Sequence, residues 1–370
     1  MAPRGVRYFC LDPGRGAGAI CHKGAEMDQR ERKAALARAI DQFMTLDLTG
    51  LGIIEPLGRA VARRQPGPMC LGAARLILET LETRPGPVVI ATGFPMGGGL
   101  AETDGPVGAA FLARAVGVAL GRPAVILSDA CWEPVIRGAC VGAGLTPLPL
   151  PPEGVKEVPY LRAVHLALLP RREQPDPRAA EELLAALEPA LLMAVERPGK
   201  NRRGAYHGLN GRPLPGWLIQ VEDLLELARG RGAPLLAIGD GGNELGMGLV
   251  EEDLGGFLPA ARDCGCGCGG GSAAVAAADH LVAACVSNWG TCGVVAALAL
   301  ELGRPEVLHR PEDEVRAIEL CAAAGGLDGA SVSPVPAVDG IPAREWHGML
   351  ASLRGILRRG LGLEQDWRQG

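Results

Sequence analysis

The sequence lacks a block of basic residues and any strong excess of one charge. Its 37 Lys and Arg residues are scattered among 42 Asp and Glu residues, which leaves a formal net charge of −5 over 370 residues. Proteins that bind the phosphates of nucleic acids concentrate basic side chains on one surface. We therefore expect no nucleic-acid partner.

A long apolar run is also missing from the start of the chain. Residues 1–16 are polar and rich in glycine, without the apolar stretch of a signal peptide or a membrane anchor. The sequence thus predicts a cytoplasmic protein with no membrane partner. The eleven cysteines are expected to be reduced, because most are dispersed along a chain without an export signal.

One group of cysteines is not dispersed. Cys264, Cys266 and Cys268 alternate with glycine in a stretch that continues to Gly271. Structural zinc sites usually carry Cys-x-x-Cys pairs separated by a longer spacer, and the sequence has no such pair. The pattern favours a flexible loop over a metal site, with adventitious metal binding or oxidation as the alternative.

Short apolar runs followed by helical patterns recur along the chain, as is typical of parallel βαβ units. The predicted fold class is α/β, with an open, mainly parallel sheet and helices on both faces. Predicted strands cover residues 87–92, 124–129, 163–169, 190–196, 234–240 and 280–287. Predicted helices cover residues 107–120, 132 to 142 or 144, 177–187, 220–229, 291–302, 312–324 and 342–359.

We predict a single domain over residues 1–370, with a sheet-bearing core at 65–370 and a helical N-terminal arm at 1–64. The arm has a helical pattern from residue 28 onward and no strand signals. It is expected to pack on the sheet or on another subunit, so a homo-oligomer stays open. The proline-rich residues 147–159 are predicted to be a connecting segment that could separate two lobes of one sheet.

Polar clusters follow four predicted strands, at the edge where open parallel sheets bind ligands. The first cluster contains Gly97, Gly98 and Gly99 and ends just before a predicted helix. Glycine N–H groups and a helix N-terminus both favour an anionic group. Alternatively, Thr103 or Asp104 only caps that helix.

The second cluster begins with Glu196 and Arg197 at the end of a predicted strand. Such a pair can orient a zwitterion, with Arg197 on a carboxylate and Glu196 on an ammonium group. The two side chains could equally pair with other charges of the protein. A polar loop with Tyr206, His207 and Asn210 follows.

The third cluster, residues 238–248, sets Asp240, Asn243 and Glu244 among five glycines directly after a predicted strand. Glycine is favoured where the backbone needs a positive φ or approaches another group closely. The segment lacks the Lys-Ser/Thr ending of a phosphate-binding P-loop and matches G-x-G-x-x-G poorly. No nucleotide is therefore predicted.

The fourth cluster, residues 287–290, is predicted to lie between a strand and a helix. Its alternative interpretation is an ordinary helix cap with a packed indole from Trp289. Together the four clusters supply the candidate substrate-binding residues Gly97, Gly98, Gly99, Glu102, Thr103, Asp104, Glu196, Arg197, Asn210, Asn243 and Asn288.

In chain order these segments read TGF, ETDGPVGAAFLARAV, VERPGKNRRGAYHGLNG, IGDGGNELGMG, VSNWG and AVDGIP. The sequence resembles the C-terminal domain of D-glutamate cyclases from about Ile20 to the C-terminus, most specifically in GDGGNE-x-GMG and SNWG. The resemblance implies a lyase that removes water from D-glutamate to give 5-oxo-D-proline. Residues 264–271 and 291–293 depart from the family pattern.

This reaction requires a site that deprotonates an ammonium group, neutralises a carboxylate and protonates a leaving oxygen. Asp240 or Glu244 is the candidate general base, and Tyr206 or His207 is the candidate proton donor. Arg197 and the amides of residues 97–99 are the candidate carboxylate binders.

A divalent cation is a further hypothesis, because Asp104, Asp240, Glu244 and Asp339 offer hard oxygen ligands suited to Mn²⁺ or Mg²⁺ rather than zinc. These acids could instead hold the glycine-rich loops through backbone N–H groups. The expected partner is a small acidic amino acid. A hydrolase or lactamase that opens a cyclic amide, and a non-catalytic module that binds acidic amino acids, both stay open.

Overall fold

The computed structural model describes residues 29–151, 154–155, 162–170, 177–218 and 221–363. Three parts of the predictions lie outside the described residues. They are the first part of the arm (1–28), the predicted helix start at Gln220, and residues 152–153 and 156–159 of the proline-rich segment.

A parallel sheet forms the centre of the molecule. The strands in the described residues are β1 (Val88–Thr92), β2 (Ala124–Asp129), β3 (Thr146–Pro149), β4 (Ala163–Leu169), β5 (Leu191–Val195), β6 (Leu235–Gly239), β7 (His280–Ala283), β8 (Ala337–Val338) and β9 (Ile341–Pro342). Seven of them form an all-parallel sheet in the order β3-β4-β2-β1-β5-β6-β7, and β8 and β9 form a separate antiparallel pair. The predicted α/β fold is confirmed.

Helices surround this sheet. In the described part of the chain they are α1 (Gln29–Met44), α2 (Ile54–Arg64), α3 (Met69–Thr83), α4 (Pro106–Leu120), α5 (Glu133–Gly142), α6 (Pro177–Leu187), α7 (Val221–Gly230), α8 (Glu251–Leu254), α9 (Pro259–Arg262), α10 (Ser287–Leu302), α11 (Pro311–Ala323) and α12 (Ala343–Gly360). No helix within those described residues is long and apolar enough to cross a membrane.

The central strands are buried on both faces, which explains why they read as continuous apolar runs. Side chains of a strand alternate between its two faces. Leu235 of β6 lies beside Leu224 of α7 on one face. Ile238 of the same strand lies against Gly290 of α10 on the other face.

The described part of the N-terminal arm packs on the sheet-bearing core of its own chain. This is the first of the two placements that the sequence left open. Helix α1 contacts α10 and α12, and α2 contacts β7. Gly293 of α10 is needed for this packing, because a β-carbon there would lie 2.6 Å from Cγ of Met44. The Trp289 indole N–H donates to the carbonyl oxygen of Phe43 at 3.0 Å.

The predicted connecting segment at 147–159 is wrong at its start, because Thr146–Pro149 forms strand β3. This strand lies at the edge of the sheet and pairs only with β4 among the described strands. Proline lacks a donor N–H, but an edge strand has one side without a strand partner, so it tolerates proline.

The predicted strand at 280–287 is too long. Strand β7 ends at Ala283, and Ser287 already begins helix α10. Residues 287–290 therefore form the first helical turn rather than a connecting loop. The backbone N–H groups that open this turn are bound by a side chain from another loop, which local sequence does not reveal. Helix α3 was not predicted.

Candidate functional site

The carboxyl ends of the central strands open into a cavity of about 1190 Å³. Strand β1 lies between β2 and β5, so the chain leaves β1 toward one half of the sheet and later returns to fill the other half. A crevice at such a switch in strand order is the usual ligand site of an open parallel sheet. The loops after β1, β5 and β6, which carry the first three polar clusters, line this cavity, whereas residues 287–290 of the fourth cluster do not.

The cavity is strongly acidic. The described residues that line it include one cationic side chain, Arg212, which is exposed. The lining also carries six carboxyl groups, from Glu102, Asp104, Glu196, Asp240, Glu244 and Asp339. An excess of buried acids over bases is unfavourable unless protons or cations compensate for the charge.

Asp104, Glu196 and Asp240 form the tightest group, which we call the carboxylate triad. One carboxylate oxygen from each lies within 4.8 Å of the others. Gly105 makes this approach possible: a β-carbon there would lie 2.9 Å from Cβ of Glu196, and its φ of 91° suits glycine. Asp240 alone keeps part of its surface open to the cavity.

Burial and mutual repulsion favour protonated forms of the triad. Burial, followed by the charge of Asp339, raises the pKa of Asp104 to about 8. Burial and the charges of Glu244 and Asp104 raise the pKa of Glu196 well above its usual range. Burial raises the pKa of Asp240 in the same way, with Glu196 as the largest charge effect.

Glu102 and Asp339 form a second pair of acids at the cavity wall and share a hydrogen bond. Burial raises the pKa of Asp339 to about 6, and burial together with the charge of Asp339 raises the pKa of Glu102 well above its usual range. Gly329 lies against both groups, since a β-carbon there would lie 2.0 Å from Oε1 of Glu102 and 2.4 Å from Oδ1 of Asp339.

Glu244 organises the glycine-rich loop after β6. Its two carboxylate oxygens accept hydrogen bonds from the backbone N–H groups of Gly241 at 2.8 Å and Gly242 at 2.7 Å. Burial raises the pKa of Glu244, and these N–H groups oppose that increase. Glu244 thus fits the alternative interpretation, in which an acid holds a glycine-rich loop through backbone N–H groups. Asp240, in contrast, faces the cavity.

Asp104 and Asn288 cap each other's helices. Asp104 accepts hydrogen bonds from the N–H groups of Ser287 at 3.0 Å and Asn288 at 2.7 Å, at the start of α10. In return, Oδ1 of Asn288 accepts from the N–H groups of Gly105 at 2.9 Å and Gly108 at 2.8 Å, at the start of α4. Oδ1 of Asp104 also accepts from the N–H of Gly105 at 2.9 Å, so Asp104 takes part in the start of α4 as predicted, together with Asn288. Thr103 does not, because its hydroxyl donates to Ala337.

Three predicted site residues are not among the described residues that line the cavity. Arg197 is buried and forms an ion pair with Asp129 at 2.5 Å, so of its two interpretations the pairing with a protein charge is the one observed. The Tyr206 hydroxyl donates to Glu222 at 2.8 Å. Oγ1 of Thr103 donates to the carbonyl oxygen of Ala337 at 2.8 Å.

His207 is also outside the cavity lining, and its Nε2 atom lies 3.3 Å from the sulfur of Cys266. Its backbone carbonyl oxygen, however, accepts a hydrogen bond from Nδ2 of Asn243 at 3.0 Å. The other side-chain atom of Asn243, the buried Oδ1, has no hydrogen-bond partner among the described residues. Asn243 lines the cavity, and Oδ1 is its unpaired hydrogen-bond acceptor.

The mouth of the cavity is formed by the first glycine cluster. Gly97, Gly98 and Gly99 line it, and the carbonyl oxygen of Gly99 accepts a hydrogen bond from the Trp132 indole at 3.0 Å. Asn210 also lines the cavity, where its Oδ1 accepts from the N–H of Arg212.

Sequence reasoning missed several parts of this site. Ser287 opens the fourth predicted cluster but was given no role of its own, and its Oγ donates to Glu196 at 2.6 Å and fixes that carboxylate. Further walls come from Thr49, Leu51 and Ile53 of the arm and from residues 258–260. These residues carry no local signal, because their neighbours in space are remote in sequence.

The model of the D-glutamate cyclase-like, C-terminal family matches residues 53–354. The chain belongs to this family. The match covers the whole parallel sheet of this protein and all six carboxyl groups that line the cavity. No curated protein matches the chain.

Proposed function

We propose that this protein is a lyase that converts D-glutamate to 5-oxo-D-proline and water. The observation that carries the proposal is the convergence of the carboxylate triad and the Glu102–Asp339 pair in one cavity of a D-glutamate cyclase-like chain. Such a site holds acids in different environments, as a reaction that both removes and donates protons requires.

The charge of the substrate suggests what else the site needs. D-glutamate brings two carboxylates and one ammonium group into a cavity that already carries six acids. The ammonium group can bind beside the triad and the free Oδ1 of Asn243, but two more carboxylates would be repelled. A bound cation would relieve this repulsion.

We propose that the cation is Mn²⁺ or Mg²⁺. The fit rests on three buried or half-buried carboxylates within 4.8 Å and on the unpartnered Oδ1 of Asn243, all of them hard oxygen donors. Asp104, Glu196 and Asp240 would hold the ion. When bound, it would neutralise carboxylate charge and polarise the γ-carboxyl group of the substrate.

The proton steps follow from the positions of the acids. The positive charge of the substrate ammonium group stabilises the carboxylate form of Asp240, which is open to the cavity. Asp240 then accepts a proton from that group, and the freed amine attacks the γ-carboxyl carbon. A C–N bond forms, one C–O bond breaks, and that oxygen leaves as water with the two protons lost by nitrogen. The Glu102–Asp339 pair, with its raised pKa values, donates one proton to the leaving oxygen and regains it from the second N–H of nitrogen. Asp240 passes the proton that it accepted to the same oxygen, which leaves as water, and all three acids return to their starting forms.

Ring closure is intramolecular, so much of the rate enhancement comes from holding the two ends of the substrate together. Well-oriented systems of this kind reach effective concentrations of about 10⁵ M or more. The N–H groups of Gly97 and Gly98 and the side chain of Arg212 at the mouth would bind the α-carboxylate, and the deeper acids would hold the ammonium group. The N–H of Gly99 already donates to the carbonyl oxygen of Met96 at 2.9 Å.

The test is to incubate the purified full chain with D- or L-glutamate, after EDTA treatment and again with added Mn²⁺, and to follow 5-oxoproline by chiral chromatography. We expect turnover of the D form, loss of turnover in Asp240→Asn, and unchanged turnover in Glu306→Gln. Glu306 is an exposed partner of Arg304 and serves as the surface control.

Other outcomes would redirect the proposal. Saturable binding of D-glutamate without turnover would favour the acidic amino-acid-binding module. Opening of 5-oxoproline or another cyclic amide, without net ring closure, would favour a lactamase. Full turnover in EDTA would remove the metal from the mechanism.

A further inference from the structure

The cysteine-glycine loop holds its three thiols together on one side. Gly265, Gly267 and Gly269 have φ values of 70°, 86° and 69°, in the left-handed region that favours glycine. The alternation of these residues with cysteine curls the chain tightly. As a result, the sulfur of Cys264 lies 3.1 Å from that of Cys266 and 3.4 Å from that of Cys268.

A fourth metal-binding side chain faces these thiols from another loop. Nε2 of His207 lies 3.3 Å from the sulfur of Cys266 and 3.8 Å from that of Cys268. The four ligand atoms all lie within 4.8 Å of one another. In a tetrahedral zinc site, with Zn–S of about 2.3 Å, neighbouring ligand atoms lie about 3.5–3.8 Å apart.

Polar groups around the loop support thiolate ligands. The N–H of Gly270 donates to the sulfur of Cys268 at 3.3 Å, and Nδ2 of Asn201 approaches the same sulfur at 3.5 Å. Nδ2 of Asn201 also donates to the carbonyl oxygen of Gly271 at 2.6 Å and lies 3.4 Å from Nδ1 of His207. Such contacts beyond the ligands commonly fix the ligand geometry of protein metal sites.

We propose that His207, Cys264, Cys266 and Cys268 form a structural zinc site. Three thiolates and one imidazole complete the four-coordinate shell of zinc and leave no position for a substrate. On binding, each thiol releases its proton to solvent while zinc stays divalent, so no oxidant is needed. The site is separate from the oxygen-only carboxylate triad, which suits a harder ion.

Its role is to fix a wall of the cavity. His207 directly precedes the cavity-lining residues 208–210, and Gly211 packs against the backbone of Cys264, where a β-carbon would lie 2.6 Å from the carbonyl oxygen. Zinc would fasten this turn to the cysteine loop. The inference does not depend on the proposed reaction, because a zinc content is measurable without substrate.

The experiment measures metal content by mass spectrometry on the reduced full chain after incubation with zinc and removal of excess metal. We expect about one zinc per chain that is bound through thiolate. Cobalt substituted for zinc should give the visible spectrum of a tetrahedral, thiolate-ligated ion, which a carboxylate site cannot produce. Chelation should lower the melting temperature of the wild-type chain.

Variants separate this site from the others. Cys264→Ser and Cys268→Ser should weaken zinc binding more than about tenfold, and His207→Cys should retain it. Cys131→Ser, which alters an exposed thiol outside the loop, and Asp240→Asn, which alters the triad, should both keep the zinc and the thiolate–cobalt spectrum. Absence of that spectrum in the reconstituted wild type, or its persistence in both serine variants, would overturn the proposal. Disulfide formation within the loop under reducing conditions would overturn it as well.

Discussion

Arg197 and Asp129 form an ion pair in which both side chains are buried, at 1% and 0% exposure. The guanidinium carbon also lies 5.9 Å from the centre of the Trp132 ring. Removing one member of a buried pair leaves the other charge without its partner in a medium of low polarity. At the scale of single residues, this pair should therefore matter more for stability than for binding.

Arg197→Met should lower the free energy of unfolding by about 3 kcal/mol or more, as measured by urea denaturation. The double variant with Asp129→Leu should recover part of the loss, because no buried charge is then left alone. Arg304→Met breaks an exposed pair and should cost less than about 1 kcal/mol. A loss in Arg197→Met that is no larger than in this control would contradict the explanation.

Tyr206 was predicted as a proton donor, but its hydroxyl is buried on Glu222 and outside the cavity lining. Burial, followed by the charge of Glu222, raises the pKa of this hydroxyl above its usual range. Tyr206→Phe should therefore lower stability by about 1 kcal/mol and leave kcat within about twofold. A hundredfold fall in kcat with unchanged stability would show instead that Tyr206 takes part in the reaction.

At the scale of elements, the junction of α4 and α10 positions the triad. Asp104, which lies just before α4, binds N–H groups at the start of α10, and Asn288 of α10 binds N–H groups at the start of α4. The helices meet closely at Gly108, where a β-carbon would lie 2.7 Å from Oγ1 of Thr291 and 3.2 Å from Cα of Asn288. Displacing this junction would move Asp104 relative to Glu196 and Asp240.

Gly108→Ala should therefore destabilise the protein by about 1–3 kcal/mol through overpacking and reduce activity. The matched control is Gly348→Ala in α12, an exposed helical glycine with open space around its β-carbon position. There alanine should stabilise by about 0.5–1 kcal/mol. Thermal unfolding of both variants checks the pair, and equal shifts of the same sign would contradict the packing argument.

At the scale of the whole molecule, the raised pKa values of the cavity acids couple stability to pH. An aspartate in the unfolded chain has a pKa of about 3.9, whereas that of Asp104 in the fold is about 8. Between these values the folded protein binds more protons than the unfolded chain. Its free energy of unfolding from this source therefore falls as pH rises from about 4 to about 8.

In EDTA, Asp240→Asn should become more stable than the wild type as pH rises from 5 to 8, because it removes one of the repelling charges. Both proteins lose bound metals under this condition, so their difference isolates the carboxylates. Adding Mn²⁺ at pH 8 should raise the melting temperature of the wild type more than that of the variant. Melting curves that shift in parallel for both proteins, with and without Mn²⁺, would contradict this coupling.

The sequence by itself determined the α/β class, most strand positions and the clustering of acids at one sheet edge. Parallel strands buried on both faces are continuously apolar, and turns with positive φ favour glycine, so both can be recognised from the order of residues. The same local logic explains the partial failures. The predicted strand at 280–287 ran into α10, because the residue that caps this helix lies on another loop and the local sequence only shows an apolar run. The edge strand β3 was predicted to be a connecting segment, because it contains prolines.

Only the tertiary structure decided which polar residues share a site. Arg197 and Tyr206 stand beside the acids in sequence but find buried partners, Asp129 and Glu222, elsewhere in the fold. His207 meets the cysteine loop although the spacing of those cysteines matches no familiar zinc pattern. The physical reason is that charge pairing, capping and metal ligation depend on distances in space, and those distances are set by how remote loops meet at the edge of the sheet.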